Sequence, residues 1–259
     1  MRKTIVSFFI CLCAFGAAAT VPDNWKTASK ADVLAGYQKA MDWFAKTGNY
    51  KITVAYASYT DHTTTSAFDQ SSGYYIRNGK NVHSCMMGMH TIQNDRLRFA
   101  VDTVNKMIVL NDAGEVGKTL PDMNALSGLL DHVQSVQKLQ LANGGSSYKI
   151  TFKPNELYSA YEFELNEKGL LTKLKYFYST ELAEENDEEI DSDAPVKKEM
   201  PKSRPRLEVT FSNYETAFVP NYEKEFSEKK YLKAQGNKLI ATEKYAAYTL
   251  KDYRSPVKK

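Results

Sequence analysis

The sequence predicts a mostly β chain of the α+β class: a strongly curved antiparallel sheet with one helix before it and a second inserted midway. Three observations predict it. Val33, Leu34, Tyr37, Met41 and Phe44 recur at helical spacing up to Gly48. From Tyr50 the apolar period changes to two, with Ile52, Val54 and Tyr56 alternating against Thr53, Ala55 and Ala57. Short strand-like runs then follow one another, separated by polar turns.

Each element has its own signal. Ser29 or Asp32 caps the first helix. Tyr74–Arg77 leads into Asn78-Gly79, a preferred two-residue hairpin turn because both residues tolerate positive φ. Val82–Thr91 reads as one strand, followed by a turn at Gln93–Asp95. Leu97–Val101 and Met107–Leu110 are separated by the turn Asp102–Lys106. A second helix is expected over Asp122–Leu139, with Met123, Leu126, Leu129, Leu130, Val133, Val136 and Leu139 on one stripe. Strands resume at Tyr148–Phe152, Tyr158–Leu165, Leu171–Tyr178 and Leu207–Tyr214, and the tail suggests a hairpin around Gln235-Gly236-Asn237.

The N-terminus bounds the compartment. Arg2 and Lys3 precede the apolar Thr4–Phe15, and Ala17-Ala18-Ala19 offers a small-residue cleavage site. This is the pattern of a secretory signal peptide over residues 1–19, too short for a spanning helix. Ile10 and Leu12, before Cys11 and Cys13, are too large for a lipoprotein signal. An exported, periplasmic protein is expected, with Cys85 as its one remaining cysteine and no internal disulfide. Removing Arg2 and Lys3 from the 34 basic residues leaves 32 against 31 acidic ones, a near balance that argues against nucleic acid as a partner. Glu181–Asp193 holds eight acids and no base and, with Pro195–Arg206 after it, reads as a solvated loop. It has no glycine of the kind a calcium loop needs.

Chemistry-bearing motifs are few. "HSCMMGMH", His83–His90, collects soft metal ligands. On a continuous strand, however, His83, Cys85, Met87 and Met89 would be collinear along one face and could not converge on an ion. Met87 and Met89 read better as lining of an apolar interior, where methionine adapts to irregular shapes. Gly114 and Gly117 have two residues between them where a phosphate-binding loop needs four. Neither a nucleophile elbow nor a zinc-protease helix is present. Asp61-His62 and Asp131-His132 are adjacent pairs whose side chains diverge on any regular element. No catalytic residue, metal or cofactor is assigned, and the chain is not expected to be an enzyme. The 17 tyrosines and 12 phenylalanines suit either sheet packing or a cavity wall.

The stretches "YQKAMDWFAKTGNYKITVAYAS", "GYYIRNGKNVHSCMMGMHTIQNDRLRFAVDTVNKMIVL" and "KITFKP…YEFELNEKGLLTKLKYFY…RLEVTFSNYE" resemble the LolA/LolB-like periplasmic lipoprotein carriers over roughly Ala31–Tyr214. The resemblance implies a half-barrel closed by a helical lid, in a single domain spanning residues 20–259. An acidic loop (181–205) and a C-terminal extension (218–259) would be added to it. It further implies an acyl chain, lipid or lipoprotein as partner, with peripheral membrane contact. Val54, Tyr56, Met87, Met89, Phe99 and Val101 are the expected cavity walls. A cell-envelope interaction module, meeting a protein partner through the acidic loop or the tyrosine-rich tail, is the alternative.

Overall fold

The structure, a computed structural model, describes residues 24–114, 128, 130–154, 156–179, 204–236 and 238–255. The expected signal peptide, residues 122–127 and 129 of the expected lid helix, and the acidic run lie outside the described residues.

Helix α1 spans Lys30–Lys46. Ser29 caps it and Asp32 completes a capping box: the Asp32 amide donates to Ser29 Oγ (3.1 Å), and the Ser29 amide donates to Asp32 Oδ2 (3.0 Å). Its buried stripe is Val33, Gly36, Tyr37, Ala40 and Phe44. At Gly36 a Cβ would come within 2.8 Å of the Tyr148 ring, so glycine lets the helix lie directly on the sheet.

Among the described residues the sheet has thirteen strands in the order β1-β8-β9-β10-β11-β12-β2-β3-β4-β5-β6-β7-β15. The meander comprises β2 (Asn49–Tyr59), β3 (Asp69–Asn78), β4 (Asn81–Met86), β5 (Met89–Gln93), β6 (Leu97–Asp102) and β7 (Met107–Asp112). A second run, β8 (Val133–Gln140), β9 (Ser146–Phe152), β10 (Tyr158–Leu165), β11 (Leu171–Tyr178) and β12 (Arg206–Glu215), returns to pair with β2. Two very short strands, β1 (Lys26–Thr27) and β15 (Thr249–Asp252), form the edges, and short edges offer little template for a stray strand. All pairs are antiparallel except β15 with β7, which is parallel. The C-terminal segment adds α2 (Tyr222–Glu225), a 3₁₀ turn at Glu228–Lys230, and the hairpin β13 (Leu232–Gln235) and β14 (Lys238–Ala241).

Three expectations are corrected. Val82–Thr91 is not one strand: Met87 (φ 52°) and Gly88 (φ 75°) turn it into the β4–β5 hairpin. Two successive left-handed residues define the turn whose twist suits a tight hairpin. The first meander turn lies one residue later than predicted, at Gly79-Lys80, because Asn78 pairs with Asn81. The C-terminal part of the expected second helix, Val133–Gln140, is strand β8. A bulge between Val133 and Ser135 inserts one residue, so Val133 and Val136 both reach the core three positions apart. That spacing imitates a helix.

Two separate cores hold the sheet. The first lies between α1 and the face formed by β8–β12 and β2, with Tyr37, Ile52, Val54, Tyr148, Ile150, Phe163 and Leu174 among its buried members. Tyr148 stacks on Phe163 at 4.7 Å between ring centroids, and Tyr37 meets Phe163 edge-on at 5.8 Å. The second comprises Ile92, Leu97, Phe99, Val101, Ile108 and Leu110, covered by Tyr231, Leu232 and Tyr245 of the C-terminal segment. Phe163 is fully buried where helix and sheet meet, so Phe163→Ala is expected to cost about 3–5 kcal/mol in urea unfolding. A loss below about 1 kcal/mol would contradict its place at the centre of the first core.

Candidate binding site: two faces of one sheet

Pairing register assigns every side chain to a face. Ile52 pairs with Tyr75, Tyr75 with Ser84, Ser84 with Thr91, Thr91 with Ala100 and Ala100 with Val109. This row lies on the α1 side of the sheet. A parallel row on the same side runs Met86–Met89–Asp102–Met107. Ile76, His83, Ile92, Phe99 and Leu110 form a row on the opposite side.

The sheet therefore changes which face is dry. Over β8–β12 and β2 the α1 side is the core. The opposite side of β9–β12 carries a charge ladder, in which Glu162 pairs with Lys149 (3.0 Å) and Lys175 (3.2 Å). Over β5–β7 the reverse holds. Phe99, Val101, Ile108 and Leu110 on the far side are fully buried, while Thr91, Ala100, Met107 and Val109 on the α1 side are half-exposed and Met89 is 45% exposed.

The expected wall residues do not form one wall. Val54 is buried beneath α1. Tyr56 shares its face, half-buried, with its hydroxyl donating to Asp69 Oδ2 (3.0 Å). Met89 shares that face too. Met87 sits at the hairpin tip, 53% exposed. Phe99 and Val101 point the other way, into the second core. The turn at Met87-Gly88 causes the split, because it resets which residues of the following strand face α1. Met86, Thr91, Ala100, Met107 and Val109 are the candidates that sequence reasoning missed, and the glycine at 88 was the available signal.

The same turn brings together what a straight strand would have kept apart. Cys85 and His90 become cross-strand partners, with Sγ 3.7 Å from Nε2. His90 Nδ1 lies 3.1 Å from His83 Nε2, and His83 Nδ1 lies 3.2 Å from Glu225 Oε2 on α2. Burial pushes His83 down to about 4, against the pull of Glu225, and holds His90 below its ordinary value. Burial also raises the Cys85 thiol, the opposite of what a reactive thiolate needs. The contacts run pairwise along a chain, and among the described residues no three His, Cys, Asp or Glu side chains are grouped to hold a metal. The other two histidines are occupied separately: His62 Nε2 contacts the Tyr178 carbonyl (3.0 Å), and His132 Nδ1 contacts Glu156 (2.8 Å).

A depression of about 480 Å³ lies on the side away from α1, lined by Ala55, Ala57, Tyr59, Gln70, Ser72, Glu208 and Thr210 together with Tyr56 and Ser71. Small side chains at Ala55 and Ala57 make it. Beside it Arg206 covers the Tyr59 ring at 4.0 Å and pairs with Glu208 (2.8 Å). No helix among the described residues is long and apolar enough to cross a membrane.

No protein-family model matches the sequence, and no curated protein matches it either. Solved structures do resemble the fold. The lipoprotein LppX of Mycobacterium tuberculosis is 12% identical with a TM-score of 0.36, covering 74% of this chain and 99% of its own. A LolA superfamily protein of Nitrosomonas europaea is 10% identical with a TM-score of 0.30, covering 76% and 97%. A DUF1329 family protein of Desulfovibrio piger is 12% identical with a TM-score of 0.31, covering 73% and 95%. At these scores the likeness is one of outline, and the reading of the site rests on this chain's own residues.

The two faces predict opposite responses to a charge. Val54→Glu, buried under α1, is expected to unfold the protein, because an unpaired buried carboxylate costs several kcal/mol. Met89→Glu is expected to leave the thermal midpoint within a few degrees. Circular dichroism melts of both variants check this, and a destabilised Met89→Glu would show that Met89 is covered.

Proposed function

We propose that this protein is a non-enzymatic carrier that holds an acyl chain, free or as part of a lipid or lipoprotein, on the α1 side of β4–β7. The observation that carries the reading is the strip Met86, Met89, Thr91, Ala100, Met107 and Val109. It continues the first core sideways from Met86 and stays half-exposed, interrupted by the buried Asp102 between Met89 and Met107, whose carboxylate accepts from the Val104 and Asn105 amides. Methionines are unbranched and polarizable, so they conform to a flexible chain without demanding one shape. Small residues at Ala100 and Thr91 leave a shallow floor between them. Burying roughly 300 Å² of acyl surface at about 25 cal/mol per Å² contributes about 7 kcal/mol, which suits reversible loading.

The N-terminal signal pattern supports an exported, periplasmic carrier, and the purified mature chain is expected to begin at Thr20. For the alternative of a protein-interaction module, Tyr231 and Tyr245 of the tail are buried against the protein's own sheet, while Val219, Tyr222 and Tyr253 stay exposed.

Displacement of a fluorescent fatty acid tests the proposal. The wild type is expected to bind in the micromolar range, and Ala100→Asp and Met89→Glu to weaken uptake at least tenfold while keeping a wild-type circular dichroism spectrum. Unchanged uptake in both folded variants would remove the strip from the site, and no uptake by the wild type would overturn the carrier reading.

A further inference from the structure

The chain of contacts Glu225–His83–His90–Cys85 sits where the C-terminal segment docks on the sheet, and the lipid reading does not use it. Its hydrogen bonds can be satisfied in one sense only while both histidines are neutral. His83 Nδ1–H donates to Glu225 Oε2. His83 Nε2 then accepts from His90 Nδ1–H, and His90 Nε2 accepts the Cys85 thiol proton. The Tyr74 hydroxyl on β3, 3.3 Å from His83 Nε2, competes with His90 for that nitrogen's one lone pair. One added proton, at His90 Nε2, is accommodated when the Cys85 thiol turns from donor to weak acceptor, with the other two bonds unchanged. A second proton sets two N–H groups against each other across 3.1 Å. Lys230, on the 3₁₀ turn, opposes positive charge at both rings, and Glu225 favours it at His83. Tyr231 lies beyond, with its ring 6.4 Å from that of His90.

The cluster joins two parts of the chain far apart in sequence. His83 is 4% exposed, and its partner Glu225 belongs to the segment whose Phe226, Tyr231, Leu232 and Tyr245 are buried. Other ties hold the same segment: Asn94 Nδ2 donates to the Phe226 carbonyl (3.1 Å) and to Glu228 Oε2 (2.8 Å), Arg96 pairs with Glu228, and the parallel pairing of Thr249–Asp252 with Met107–Leu110 is flanked by the Thr249 amide donating to the Lys106 carbonyl and the Tyr253 amide to the Leu110 carbonyl (2.9 Å each).

We propose that the C-terminal segment is an acid-released clasp: protonation of the His83–His90 pair undocks residues 222–252 from β4–β7 and uncovers Phe99, Val101, Ile108 and Leu110. The sign follows from burial. Each docked histidine binds its proton more weakly than the same ring in water, so the released state takes up more protons as pH falls. Docking is strongest above the ordinary histidine value of about 6.5. It weakens toward the lowered docked value of about 4 for His83, by up to roughly tenfold per pH unit for each histidine.

Hydrogen–deuterium exchange of the full mature chain at pH 7.5, 6.0 and 5.0, corrected for intrinsic rates, reads the clasp. Amides at Thr242, Thr249 and Tyr253 are expected to lose at least tenfold protection by pH 5.0, while those of β9 and β10 keep theirs. In the double variant His83→Gln/His90→Gln, protection of the segment is expected not to change with pH. Flat protection in the wild type overturns the proposal, as does equal loss in β9 and β10, or the same pH dependence in the double variant. Should that variant already be undocked at pH 7.5, the wild-type His83 ring titration by NMR decides. A value well below 6 supports the clasp, and one near 6.5 or above overturns it.

Discussion

Everything in this fold follows from one constraint: successive side chains on a strand point to opposite faces, and an unbroken hydrogen-bonded ladder carries that alternation from strand to strand. Thirteen strands share one ladder here, so the face of any residue is fixed by its neighbours across the sheet. The chain uses this to switch its dry side. Tyr75 on β3 joins the first core, while Ile76, the next residue, is buried on the other side. From there toward β7 the large apolar residues continue on the side away from α1. A single sheet thus needs two covers: α1 on one face and the C-terminal segment on the other.

The switch explains why a half-covered apolar strip exists. Beyond Tyr75 the Ile52–Tyr75–Ser84–Thr91–Ala100–Val109 row carries only small or medium side chains, whereas the opposite row grows to Phe99 and Leu110. A strand buried on both faces would have large apolar residues at every position. In β6, Phe99 and Val101 are buried while Ala100 between them is only half so. This intermediate character makes the strip suitable for a transient apolar ligand. A permanently covered core needs larger residues, and a permanently wet face needs charged ones.

Much of this was legible in the sequence. The helix start, which the sequence left between Ser29 and Asp32 and the structure sets at Ser29, the helical stripe through Phe44, and the alternation from Tyr50 all have short-range causes. The hairpin at Met87-Gly88 was hidden because methionine has no preference for a left-handed turn, and Met86 to Met89 resembles uninterrupted strand. Val133, Val136 and Leu139 imitated a helix because a bulge changes the count of residues between core contacts. Phe99 and Val101 were grouped with Val54 and Tyr56 as one wall, whereas register puts them on opposite faces of the sheet. Glu225 lies 142 residues from His83, and no local pattern announces such a pairing.

The most direct measurement is photocrosslinking with a diazirine-bearing fatty acid, followed by peptide mapping of the adducts. The account predicts labelling at Met86, Met89, Thr91, Ala100, Met107 or Val109, competed away by unlabelled fatty acid. Competable labelling confined to the depression at Ala55, Ala57 and Tyr59 on the other face, or none anywhere, would contradict it.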